Sequence, residues 1–212
     1  MFGLLCLYKG LQMGPVSIVA PIVAINPLFV FTIRFALGSE PTLMQWISTL
    51  IVISGAIFVS ISAESHQESL GLTKKQIKDS VIISFMSSVM LALGLVFSQE
   101  ASNTLDTLET VVYIRFFSLL GIATLLLFTK SKIFLTKKAI PILFFQGILE
   151  TTGYFCLVYA YAFDKVSIAV VISSGFGLVT VILARFILKE KISKIQGSGI
   201  CLSFLGVVGL VI

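Results

Sequence analysis

Charge is scarce in this chain. Only 12% of its 212 residues are Asp, Glu, Lys or Arg, and there are one histidine, one tryptophan, three cysteines and five prolines. A soluble domain carries about a quarter of its residues charged, so a water-facing surface over the whole chain is excluded. The lone His66 lies in the polar stretch ESHQESLGLTKKQIKD, and with no CxxC anywhere no metal-ligand set can be assembled. Cys6, Cys156 and Cys201 all fall inside apolar runs, where they read as small buried hydrophobes and say nothing of a redox compartment. Neither GxxxxGK[ST] nor GxSxG occurs, which removes the phosphate cradle of ATP hydrolysis and the nucleophile turn of serine hydrolases. No cofactor is expected, and no enzyme activity.

What fills the chain instead is hydrocarbon. Hydrophobic residues make up 57% and the mean hydropathy is +1.07. Apolar runs cover 16–37, 44–63, 80–99, 110–129, 139–162, 166–188 and 193–212, with a shorter one at 1–13. A helix needs about 20 apolar residues to cross a bilayer core, whereas membrane strands need only about 9–11, so the lengths favour helices. The class is all-α: a polytopic helical membrane protein with about seven full spans plus one partial span. Residues 1–13 lack the basic start and small-residue cleavage site of a secretory leader.

The net charge of +5 does not mark a nucleic-acid partner, because of where it sits. Loops 64–79, 130–138 and 189–194 hold ten lysines, from Lys74 to Lys194, whereas loops 38–43, 100–109 and 163–165 hold only Lys165. That asymmetry is the signature of an inserted protein whose lysine-rich loops stay in the cytoplasm. The partners it implies are a lipid bilayer and a small-molecule substrate.

The chain also echoes itself. GLLCLYKGLQMGPVSI at Gly3 and GYFCLVYAYAFDKVSI at Gly153 align with Gly3/Gly153, Cys6/Cys156 and the Val-Ser-Ile triplets at 16–18 and 166–168 in register. With one residue of slippage, Arg34-Phe35 meets Arg185-Phe186, Gln45 meets Gln196 and Gly55 meets Gly206. Five crossings separate 16–37 from 166–188. An odd number reverses direction, so the two copies form an inverted repeat of the kind found in secondary transporters.

These residues carry a resemblance. ARFILKEKISKIQGSGICLSFLGVVGLVI, with Glu190 in its turn and a Gln-x-x-Gly last helix, resembles the repeat end of the EamA-type drug/metabolite transporters. TVVYIRFFSLLGIATLLLF, with Arg115-Phe116, resembles that family's second repeat helix, and INPLFVFTIRFALGSEPTLMQW the matching first-half segment with Pro27. The resemblance implies two five-helix repeats and export of small organic metabolites or drugs across an inner or plasma membrane by alternating access. In the first copy the acid sits one place later (LGSEPT against LKEKIS), and the second copy has Gly175 and Gly177 where a proline would be expected. On this frame 1–63 is the C-terminal part of a first repeat, 64–79 an inter-repeat loop, and 80–212 a complete second repeat. The first two helices and part of the third would then be missing, as in a fragment, a misassigned start or a decayed gene product. A non-transporting remnant or scaffold is the rival function, and an intramembrane enzyme a weaker one, since no nucleophile stands beside a base.

Candidate substrate-pathway residues fall into two groups. Glu150 lies mid-span, where a charge costs about 2.5–3.5 kcal/mol on insertion scales and so must be protonated or paired. At 100° per residue, Gln146, Glu150, Tyr154 and Tyr161 share one helix face. Arg115, about five residues into its span, either snorkels to the interface or recognises substrate. The second group is a pair of helix interruptions: Asn26-Pro27 in one copy and Ser173-Ser174-Gly175-Phe176-Gly177 in the other. Paired breaks in inverted repeats point to a central binding site. Gly199, Ser203 and Gly206 give the last helix a small-residue face for close packing, which also offers a homodimer surface.

The lysine asymmetry places Ile212 outside, whereas the resemblance implies a cytoplasmic C-terminus; losing two helices preserves parity and cannot reconcile them, so the ten-to-one imbalance decides. In single-cysteine variants, an impermeant thiol reagent applied outside intact cells should label Asp106→Cys and spare Lys132→Cys; the reverse pattern refutes the assignment.

Overall fold

The computed structural model describes residues 1–38, 40, 42–65, 73–129, 136–161, 173, 175–189 and 192–209. Among them there is no strand. In chain order the helices are α1 (Phe2–Met13), α2 (Val16–Ala24), α3 (Asn26–Ala36), α4 (Leu43–Ser65), α5 (Lys74–Ser102), α6 (Thr107–Thr129), α7 (Ile140–Tyr161), α8 (Phe176–Ile187) and α9 (Lys194–Gly209). Among the described residues four stretches are long and apolar enough to cross a membrane: Val16–Ala36, where α2 and α3 run on, Lys74–Ser102, Thr107–Thr129 and Ile140–Tyr161. Leu43–Val59 and Lys194–Gly209 are shorter apolar helices.

Helix starts follow local capping more closely than hydropathy. α5 begins at Lys74, well before the apolar run, because Thr73 caps it. The Gln76 backbone N–H donates to Thr73 Oγ1 at 3.3 Å, and Gln76 Oε1 accepts from the Thr73 N–H at 2.9 Å. Thr42 and Gln45 repeat this reciprocal box at the head of α4, at 3.3 and 3.0 Å. At α9, Ser193 Oγ accepts from the Gln196 N–H at 3.1 Å. Here the glutamine side chain goes elsewhere, as described below.

The chain divides into two units, one of Phe2–Val96 with Val170–Ile212 and one of Met1 with Phe97–Ala169. In the larger unit α4 and α9 pack backbone to backbone. A methyl group at Gly199 would stand 2.8 Å from the Gly55 carbonyl oxygen and 2.9 Å from Val59 N. One at Gly206 would stand 2.8 Å from Val52 N and 2.9 Å from the Ser48 carbonyl. Early residues of α4 meet late residues of α9, so the two helices run antiparallel. The contacts are also reciprocal under a displacement of 151 positions, which carries Ser48, Val52, Gly55 and Phe58 onto Gly199, Ser203, Gly206 and Gly209. Gly55 against Ser203 and Gly199 becomes Gly206 against Val52 and Ser48, and Gly199 against Phe58 becomes Ser48 against Gly209. Such antiparallel packing agrees with the inverted repeat expected from the sequence. The small-residue face of α9 is therefore filled by α4 within the chain.

Elsewhere in this unit, small residues again let backbones meet. Ser80, Ser84, Ser87 and Ser88 of α5 are all buried. Ser80 donates to the Gly10 carbonyl of α1 at 3.2 Å and Ser87 to that of Gly3 at 2.7 Å. Apolar packing fills the gaps: Ile18, Ile22, Val59, Ile77, Val181 and Ile200 form one cluster, and Ile25, Leu28, Val52 and Val207 another. In the smaller unit α6 and α7 pack on each other. Few of their residues are fully buried, which suits a lipid-facing pair.

Neighbouring glycines on α9 should respond oppositely. Gly199→Ala forces atoms into the α4 backbone and should destabilise the protein in detergent by about 1–3 kcal/mol. A methyl group at Gly197 meets open space, so Gly197→Ala should be neutral or stabilising by up to about 1 kcal/mol. Unfolding titrations of the two variants measure both; equal responses would overturn the α4–α9 packing.

Candidate functional site

The smaller unit contains a charged cluster at span depth. Glu150 is midway along the 22 residues of α7. A carboxylate there faces a large insertion cost, which an opposite charge offsets. Arg115 of α6 supplies it: Nη1 lies 2.7 Å from Glu150 Oε2. Nη2 reaches the Glu150 carbonyl at 3.5 Å, and the guanidinium lies 5.1 Å from the centre of the Tyr154 ring. One turn separates Glu150 from Tyr154, so a single α7 face presents the acid and the aromatic to the same cation. Tyr154 in turn hydrogen-bonds Ser98, a buried residue near the end of α5.

This arrangement answers which role Arg115 takes: it is an ion-pair partner. The pair is not sealed. The Arg115 and Glu150 side chains remain 31% and 43% uncovered by protein, and Arg115 Nε is buried without a partner. Gln146 lies one turn before Glu150 and is exposed, whereas Tyr161 at the end of α7 is buried.

The second group of candidates lies in the larger unit. The break between α2 and α3 falls at Ile25, with Asn26 and Pro27 opening α3. Asn26 is buried and its Oδ1 has no partner. Gly175 directly precedes α8 and Ser173 lies just before it, while Ser174 is outside the described residues. Gly177 is a close-approach glycine, since any Cβ there would collide with Ala24 of α2. The cavity beside it, lined by Pro21, Ala24, Gly177, Ser203 and Phe204 among others, has a volume of about 20 Å³. That admits about one water molecule and no metabolite. In this conformation the described residues of the paired interruptions make a joint between packed helices.

Sequence reasoning missed Pro21, the proline within α2, and the serine stripe of α5. Both were legible: a proline orphans the carbonyl four residues earlier, and Ser80, Ser84, Ser87 and Ser88 recur at helical spacing. Among the described residues no three His, Cys, Asp or Glu side chains gather as a metal site.

If Arg115 and Glu150 depend on each other, Arg115→Met should destabilise the protein by about 2–3 kcal/mol, because it leaves a lone acid at span depth. Arg115→Met/Glu150→Leu should recover most of that loss in detergent unfolding. Additive losses would show that the two side chains act separately.

Comparison with known proteins adds one finding. The family model for the EamA-like transporter family matches residues 1–61 and 79–212. No curated protein and no solved structure matches the chain. Its all-helical build, its spans long enough to cross a bilayer and this match over nearly its whole length carry one conclusion: the chain belongs to the EamA-like transporter family, membrane proteins that transport small molecules.

Proposed function

We propose that this protein exports small organic metabolites across the cell membrane (inner or plasma membrane) by alternating access, with Glu150 coupling transport to protons. The Arg115–Glu150 pair carries this reading. It sits mid-span, is incompletely covered, and retains an unpartnered donor. Ionisable groups at such depth mark substrate or proton pathways. When a proton binds Glu150, the charge attraction to Arg115 falls away and the guanidinium becomes available to an acidic group of the substrate, over the face of Tyr154. When the proton leaves, the carboxylate reclaims Arg115 and the substrate is displaced. Gln146 extends the same face by one turn and serves as a hydrogen-bonding side chain along the route. In this reading residues 1–63 form the C-terminal part of a first repeat and 80–212 a complete second repeat, their antiparallel copies rocking about the α4–α9 axis.

Glu150→Gln tests the coupling, because it preserves shape and hydrogen bonding while removing titration. In proteoliposomes offered a panel of amino acids and other organic metabolites, the wild-type protein should move protons with its substrate. The variant should insert normally, lose proton-driven accumulation, and retain substrate exchange in part. Proton flux equal to wild type in Glu150→Gln would eliminate the coupling role.

A further inference from the structure

Two prolines in the α2–α3 span each remove the helical donor of a carbonyl four residues earlier. Pro21 removes the donor for Ser17 and Pro27 that for Val23, although the Val23 carbonyl also accepts from the Ile25 N–H. Hydrocarbon offers no replacement, yet neither carbonyl is abandoned. The Ser17 carbonyl accepts from Gln196 Nε2 of α9 at 2.7 Å, and the Val23 carbonyl accepts from Ser88 Oγ of α5 at 3.1 Å. Gln196 is 1% exposed and Ser88 fully buried.

Gln196 is the more telling of the two donors, because the chain provides its own controls. Thr42–Gln45 and Thr73–Gln76 have the same cap-x-x-Gln spacing as Ser193–Gln196, and in both the glutamine side chain folds back to its own cap residue. Gln45 is also the repeat counterpart of Gln196. At α9 the glutamine side chain reaches across to another helix, and its target is a carbonyl whose helical donor a proline has removed. A backbone hydrogen bond would move with α2, whereas this one breaks whenever α9 shifts against α2. The small cavity lined by Pro21, Gly177 and Ser203 leaves free volume beside the same joint.

We infer that Gln196 is a positioning residue: its hydrogen bond to Ser17 is a releasable latch that holds the Pro21 joint of α2 straight, and its released position is the cap of its own helix. Hydrogen exchange of the α2 amides in the full chain, reconstituted in lipid nanodiscs, tests this without a substrate. Gln196→Leu should speed exchange over residues 16–25 about tenfold, the factor that about 1.4 kcal/mol represents. Gln196→Met, similar in length but without a donor, should do the same. In a Pro21→Ala background the Ser17 carbonyl regains a helical donor, and Gln196→Leu should then change exchange less than twofold. Equal acceleration in both backgrounds would show that Gln196 merely packs α9 and would overturn the latch, as would no acceleration in either. Should Gln196→Leu fail to fold, recovery of folding by added Pro21→Ala supports the latch and continued failure overturns it.

Discussion

Hydrocarbon cannot hydrogen-bond, and that constraint governs what this chain may do with its backbone. Helices satisfy most of the demand locally. Where a proline leaves a gap, a buried side chain fills it, as Gln196 and Ser88 do for Ser17 and Val23. The same rule governs charge. Arg115 and Glu150 are tolerable at span depth because each is the other's counterion. Polar groups that would be unremarkable in water therefore become the connections that tie one helix to the next.

Because lipid is as apolar as leucine, burying leucine does little to hold these helices together; close backbone contact does more. Gly55, Gly199 and Gly206 permit it between α4 and α9, and the glycines of α1 do so against the serines of α5.

Much of this was legible in the sequence. Apolar runs marked the helices, including the four stretches long enough to cross a membrane. Small residues on α9 foretold its packing but not its partner, because a glycine face does not reveal whether a neighbour lies within the chain or outside it. Glu150 stood out by position alone. Its bond to Arg115 did not, since 35 residues separate them and no periodicity spans two helices. The interruptions at 26–27 and 173–177 looked like a binding site because sequence registers a break without registering what packs into it. Gly177 turned out to mark where α8 presses on α2. Pro21, six residues before the proline that drew notice, proved as informative, through the partner of the carbonyl it frees.

The Arg115–Glu150 pair also has an electrical consequence. As an ion pair it is neutral, so a rearrangement that carries both side chains together does no work against the membrane voltage. An unbalanced charge crossing the full field gains or loses about 2.3 kcal/mol per 100 mV. Should a proton neutralise Glu150, Arg115 would become that unbalanced charge, and the conformational equilibrium of the protein would acquire a dependence on voltage that the paired form lacks. Under the proposed coupling, two side chains 2.7 Å apart would thus set whether the protein, until an acidic substrate group pairs with Arg115, senses the potential across its membrane.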